Sequence, residues 1–139
     1  RLLIDTPDAN YIQQYELPEH SAYVDADKAR MEQVLDNLLV NAKKNVRPGG
    51  ILKLSLIEQT GVLHFSIYNQ GPVIPQEDLT KIWTKFYRDG NSKYSGSGLG
   101  LAIVAQILSM QKLEYGVKNL SDGVQFYFSI PTIELKTPK

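Results

Sequence analysis

Gly96-Ser97-Gly98-Leu99-Gly100-Leu101 stands where a polar loop gives way to an apolar helical pattern. Polar, turn-forming residues from Asp89 to Ser95 precede it, and an apolar helical pattern from Leu99 to Met110 follows. Glycines at alternate positions leave backbone N–H groups uncovered where a helix begins, an arrangement that suits an anion, usually a phosphate. Taken alone, the same pattern also describes a tight turn. Whether a phosphate is held there depends on the rest of the chain.

The chain has 139 residues, room for one domain with a real core. Apolar residues make up 42% and charged residues 22%, a globular composition. Fifteen basic and fifteen acidic residues cancel, so no basic field invites nucleic acid or an anionic membrane. There is no cysteine, which excludes disulfides, thiolate chemistry and zinc–thiolate sites. His20 and His64 lack metal-ligand spacing and read as ordinary surface or sheet histidines. No apolar run approaches the roughly 18 residues of a membrane span. The chain opens on Arg1 and not on Met, so it is expected to be an excised domain of something larger.

Outward from the glycines, the apolar positions order the chain. Tyr11 to Leu17 and Ala22 to Val24 read as strands. Asp25 or Asp27 is a candidate N-cap for a helix from about Lys28 to Val46, with Met31, Val34, Leu35, Leu38, Leu39 and Ala42 as its buried stripe. Pro48-Gly49-Gly50 stops it. Ile51 to Ile57 and Val62 to Asn69 read as a hairpin across Gln59-Thr60-Gly61. Gln76 to Phe86 reads as a short helix, and Gly98 to Gln111 as a long, well-buried one. Leu113 to Val117 and Val124 to Ile130 are two last strands, with Asn119 to Gly123 as their turn and Thr132 to Lys139 as a tail. Strands joined mostly by turns favour a mixed sheet with helices on one face over a doubly wound parallel sheet.

The first helix carries polar residues in step. Asn37 and Asn41 share a face and Lys44 lies along the same edge. Asparagine is a mediocre helix former, so this placement needs a reason. A solvated polar face, or buried amides bonded to backbone, would supply one. So would neutral oxygens and an ammonium facing a metal–phosphate group. Asn69-Gln70-Gly71-Pro72-Val73-Ile74-Pro75 lets an amide leave a strand beside a glycine, which suits either a turn or a flat ring near the backbone. In Trp83-Thr84-Lys85-Phe86-Tyr87-Arg88 the aromatics read as core just before the loop.

Together, in this order and spacing, these pieces resemble the catalytic ATP-binding domain of bacterial sensor histidine kinases, in the superfamily that also holds DNA gyrase, the MutL repair proteins and a heat-shock chaperone family. Asn37 to Ala42 is similar to the N box of that domain and Asn69 to Pro75 to its first glycine box. Trp83 to Arg88 is similar to the F box, Gly96 to Leu101 to the second glycine box, and Asp122 to Pro131 to the closing strand. The resemblance spans roughly Tyr23 to Pro131. It implies an α/β (α+β) two-layer sandwich of the Bergerat type, with a mainly antiparallel sheet of about five strands covered on one face by about three helices. Asn41 would coordinate Mg²⁺, with Asn37 and Lys44 at the phosphates. Asn69, with Gly71 and Ile74, would meet the adenine. Phe86, Tyr87, Arg88, Gly96, Ser97, Gly98, Leu99, Gly100 and Leu101 would complete the ATP site, residues from about Arg88 to Gly96 forming a lid. Two positions depart from the family: Asn69 replaces the usual aspartate, losing charge assistance to the base contact, and Asn45 stands where tyrosine or histidine is common.

Hydrolysing relatives carry a glutamate at the position of Asn37, whose amide cannot act as a general base near neutral pH. The resemblance therefore implies presentation of the γ-phosphate to a histidine on a separate dimerisation domain, with a cognate response regulator downstream. It implies a monomeric catalytic module on the cytoplasmic side of a membrane-anchored sensor. Neither His20 nor His64 sits in a phosphoacceptor motif, so no catalytic histidine is expected here. A degenerate nucleotide module that docks on a partner kinase is the alternative.

Overall fold

The computed structural model describes residues 10–84, 87 and 98–134. The apolar stripe of the first helix folds as expected: α1 spans Lys28–Asn45, and the Asp27 carboxylate caps it by accepting from the Arg30 amide at 3.1 Å. The second helix, α2, spans Gly100–Met110 and buries Leu101, Val104, Ile107 and Leu108.

Six strands form one sheet: β1 Ile12–Glu16, β2 Tyr23–Val24, β3 Ile51–Gln59, β4 Val62–Gln70, β5 Glu114–Leu120 and β6 Gly123–Ile133. Their order is β1-β3-β4-β6-β2, with β5 also paired to β6. Only β1 with β3 is parallel; the other pairs are antiparallel. Thr60 (φ 50°) and Gly61 (φ 77°) both turn left-handed to close the two-residue β3–β4 loop, which matches the twist of the flanking strands.

Register puts Leu52 and Leu54 of β3, Phe65 and Ile67 of β4, and Val124, Phe126 and Phe128 of β6 on one face. All of these are buried. Both helices cover that face; α1 packs on β4 and against α2. Trp83 joins this core edge-on, 5.0 Å from Tyr115 and 5.5 Å from Phe126 between ring centroids. The opposite face carries Lys53, Ser55, His64, Ser66, Tyr68 and Gln125.

Four expectations change. The described residues hold six strands and two α-helices, where about five and about three were expected. The stretch after Pro75 forms two 3-10 turns, Gln76–Asp78 and Lys81–Trp83, in place of one helix. There the Lys81 carbonyl accepts from both the Thr84 amide (3.0 Å) and hydroxyl (2.6 Å), an i to i+3 closure that competes with helix propagation. Asn119 lies inside β5, and the turn shrinks to Ser121 and Asp122. Finally, β6 runs through Pro131 to Ile133 because the Thr132 amide bonds the Gly61 carbonyl at 2.9 Å and β2 pairs with Thr132 and Ile133.

On the open face, Asp122 accepts from the Tyr68 hydroxyl at 2.6 Å and from the Gln70 amide at 2.8 Å. These two bonds hold its carboxyl below the usual carboxylate range. Partial burial and the bond to Asp122 push the Tyr68 hydroxyl up to about 12. The fold thus favours the neutral phenol. Its contribution is full below the ordinary tyrosine pKa of about 10 and is lost as pH rises through about 12. Asp122 contributes in the opposite sense, above the carboxylate range, and its share is lost in acid. Thermal melts should therefore show Tyr68→Phe less stable than wild type at pH 7, with the gap closing between pH 10 and about 12. A gap that stays constant across that window would exclude the linkage.

Candidate functional site

The C-terminal half of α1 projects Asn37, Asn41 and Lys44 from one face. Asn41 is fully buried and Lys44 is exposed. Asn37 is half-buried, and its Nδ2 has no hydrogen-bond partner among the described residues. Asn45 is buried as well, and its Nδ2 donates to the Asn41 carbonyl at 2.9 Å. The position that departs from the family thus serves the end of the helix.

A cleft of about 1300 Å³ is lined by Asp27, Arg30 and Gln33 near the start of α1 and by Gln106 and Met110 near the end of α2. The start of α1 thus faces the end of α2 across this cleft, and the two helices pack on each other. None of the residues expected to meet the nucleotide lines that cleft.

Asn69 is fully buried near the end of β4. Its row across the sheet reads Leu52, Asn69, Val124, Asn119, all on the helix-covered face. Neither Oδ1 nor Nδ2 of Asn69 has a partner among the described residues. Each buried polar group left unpaired costs about 1–3 kcal/mol, so a side chain with two of them is a place where a ligand has something to satisfy.

The segment after Asn69 is fixed at both ends. Gly71 donates its amide to the Asp122 carbonyl at 3.0 Å. A Cβ on Gly71 would stand 2.2 Å from the Asn45 carbonyl oxygen, so the glycine is needed for close approach of β4's end to the end of α1. Further on, Ile74 is fully buried and held by a two-point clamp. Asn119 accepts from the Ile74 amide at 3.0 Å and donates to the Ile74 carbonyl at 2.7 Å. Sequence reasoning missed Asn119 and placed it in a turn. The only sequence signal was an asparagine at an inward strand position.

At the second glycine stretch, Gly98 takes φ 67°, a conformation favoured by glycine, and forms an antiparallel bridge with Tyr87. The Tyr87 hydroxyl donates to Asp78 at 3.0 Å. Leu99 caps α2 without a side-chain bond, and no acidic residue stands in the first turn. The first turn of α2 therefore carries no acidic side chain of its own that would compete with an anion. Leu101 turns inward and is buried. Phe86, Arg88, Gly96, Ser97 and the rest of the expected lid lie outside the described residues.

Residues 26–134 match the family model described as histidine kinase-, DNA gyrase B- and HSP90-like ATPase. The chain is 35% identical over 109 residues to the sensor protein VanSB of Enterococcus faecalis, covering 76% of this chain and 24% of that protein. It is 34% identical over 121 residues to the sensor histidine kinase WalK of Bacillus subtilis, covering 83% of this chain and 20% of WalK. It thus spans a quarter or less of these relatives. Among solved structures, the catalytic domain of the histidine kinase ThkA superposes with a TM-score of 0.78 at 31% identity, over 88% of this chain and 81% of that one. ThkA has also been solved in complex with the response regulator protein TrrA.

The clamp generates a direct expectation. Asn119→Ala removes both bonds to Ile74 and leaves buried backbone groups unpaired, which should lower stability by about 1–3 kcal/mol in urea unfolding. Asn119→Asp keeps the acceptor toward the Ile74 amide but turns a carboxylate oxygen on the Ile74 carbonyl in place of the donor, and should be at least as destabilised as alanine near neutral pH.

Proposed function

We propose that this chain, which belongs to the family of histidine kinase-, DNA gyrase B- and HSP90-like ATPases, binds ATP with Mg²⁺ as the catalytic domain of a sensor histidine kinase. It presents the γ-phosphate to a histidine on a separate dimerisation domain. The observation that carries this reading is Asn69, fully buried with both polar atoms unmatched by protein among the described residues. A purine edge offers a donor and an acceptor side by side, which is what such an amide lacks.

The other residues fit the same ligand. The amide oxygen of Asn41 suits a hard cation that keeps several waters. Asn37, with its unpaired buried Nδ2, and Lys44 stand toward the phosphate tail. The amides at Gly98, Leu99 and Gly100 offer phosphate oxygens the uncapped start of α2. Ile74 and Leu101 supply apolar wall, and Phe86, Tyr87, Arg88, Gly96 and Ser97 belong to the same site by motif. Bound Mg²⁺ would neutralise phosphate charge.

Water is a poor acceptor here. Asn37 has no basicity to offer, and Glu32 is exposed and lies 4.0 Å from Lys28. His20 is exposed, and His64 lies on the opposite sheet face from Asn69, its Nδ1 2.8 Å from the Ser129 hydroxyl. Neither histidine is placed to receive the phosphoryl group from this site. The partners are accordingly the dimerisation domain and a response regulator, as ThkA is seen to engage TrrA. Among the described residues no helix is long and apolar enough to cross a membrane; VanSB and WalK are named as a sensor protein and a sensor histidine kinase, which supports a place in a sensor, here assigned to the cytoplasmic side of a membrane-anchored one. Asn69 in place of aspartate favours one second reading, a degenerate nucleotide module that regulates a partner kinase.

Calorimetric titration with ATP should show Mg²⁺-dependent binding that Asn41→Ala weakens by more than ~10-fold while the fold survives. Unchanged binding would refute the metal role. With γ-labelled ATP the isolated chain should form no phosphohistidine; label on His20 or His64 would overturn the assignment of the acceptor to another domain.

A further inference from the structure

The base-reading chemistry of this site falls on one side chain. The Ile74 amide and carbonyl are both taken by Asn119, and the Gly71 amide by the Asp122 carbonyl. Among the described residues Asn69 is left as a buried side chain with neither polar atom bonded. A carboxylate at that position would only accept. It would suit the amino group of adenine and would set acceptor against acceptor on the 6-oxo group of guanine or hypoxanthine. A primary amide carries both functions. Turned one way, Asn69 Oδ1 accepts from the 6-amino group and Nδ2 donates to N1 of adenine. Turned the other way, Nδ2 donates to the 6-oxo oxygen and Oδ1 accepts from N1–H.

What would fix one orientation is a protein hydrogen bond on either atom. Among the described residues neither atom has one. A half-turn of the amide therefore breaks no bond to the protein, and the backbone beneath it is held in the sheet by β3 on one side and β6 on the other. We infer that Asn69 makes the site ambiguous between purines, so that it takes 6-oxopurine nucleoside triphosphates as well as ATP. The inference rests on the nucleotide site proposed above.

The test is calorimetric titration of the 139-residue chain in Mg²⁺ with ATP, ITP and UTP. Hypoxanthine is the decisive base, since it presents the 6-oxo edge without the 2-amino group of guanine. ITP should bind within ~10-fold of ATP, with UTP far weaker, and Asn69→Asp should open a gap of more than ~100-fold between ATP and ITP. A wild-type gap of more than ~100-fold would overturn the ambiguity alone, with ATP binding intact. Equal binding of UTP, whose C4=O and N3–H offer the amide the same pair as the 6-oxo edge, would overturn the purine assignment, since the site would then not distinguish a purine from a pyrimidine ring. An unchanged ATP-to-ITP ratio in a folded Asn69→Asp variant would have the same force. Binding of none of the three would overturn the nucleotide site itself. The wild-type ratios stand even if a buried carboxylate prevents that variant from folding.

Discussion

One constraint governs this molecule: its sheet buries a single face, and the register of β4 between β3 and β6 decides which residues lie on it. Along β4 the buried positions alternate as Phe65, Ile67 and Asn69. A slip of one residue would send both apolar side chains into water and carry Asn69 to the open face. The proposed base-reading position is thus not an addition to the core. Asn69 occupies a core position, and the pairing that packs Phe126 over β4 also sets the amide against the helices.

That arrangement separates two kinds of polar burial. Asn45 and Asn119 are consumed by backbone: one ties a helix end, the other clamps Ile74. They stabilise the frame. Asn69 is surrounded by the same core and offered no partner among the described residues. The cost of leaving it so is tolerable only because the surrounding structure, with Phe65, Ile67, Val124 and Phe126 all buried, holds the strand regardless. A ligand that satisfies the amide recovers this cost on binding, which is how a rigid frame converts an unmatched polar group into affinity.

Much of this was legible in the residue order. Helical spacing gave α1 within a residue at its end, with Asp25 and Asp27 as cap candidates of which Asp27 is the cap, and it aligned Asn37, Asn41 and Lys44. Alternation gave the β3–β4 hairpin and Trp83 as core. Asn119 was not legible, because its partner is 45 residues away and an isolated asparagine near Ser121-Asp122-Gly123 has the local chemistry of a turn. Gly71 was read as suiting either a turn or a flat ring near the backbone. Its tightest constraint is the Asn45 carbonyl, a contact set by how α1 ends over the sheet. The 3-10 turns escaped for a similar reason: their apolar spacing suits a helix, while Thr84 diverts the Lys81 carbonyl.

The position of β6 in the sheet has a consequence for how the molecule comes into being. This strand bonds β4, β5 and β2, yet it is the last element of the sheet in the chain. On a ribosome, β3 and β4 can form their hairpin early, since their contacts are local. The free edge of β4 then waits for residues 123–133 before the sheet can close. Folding of this domain is therefore gated by completion of β6, and a nascent chain halted before Gly123 leaves the backbone N–H and C=O groups along that edge of β4 open to pairing with another strand.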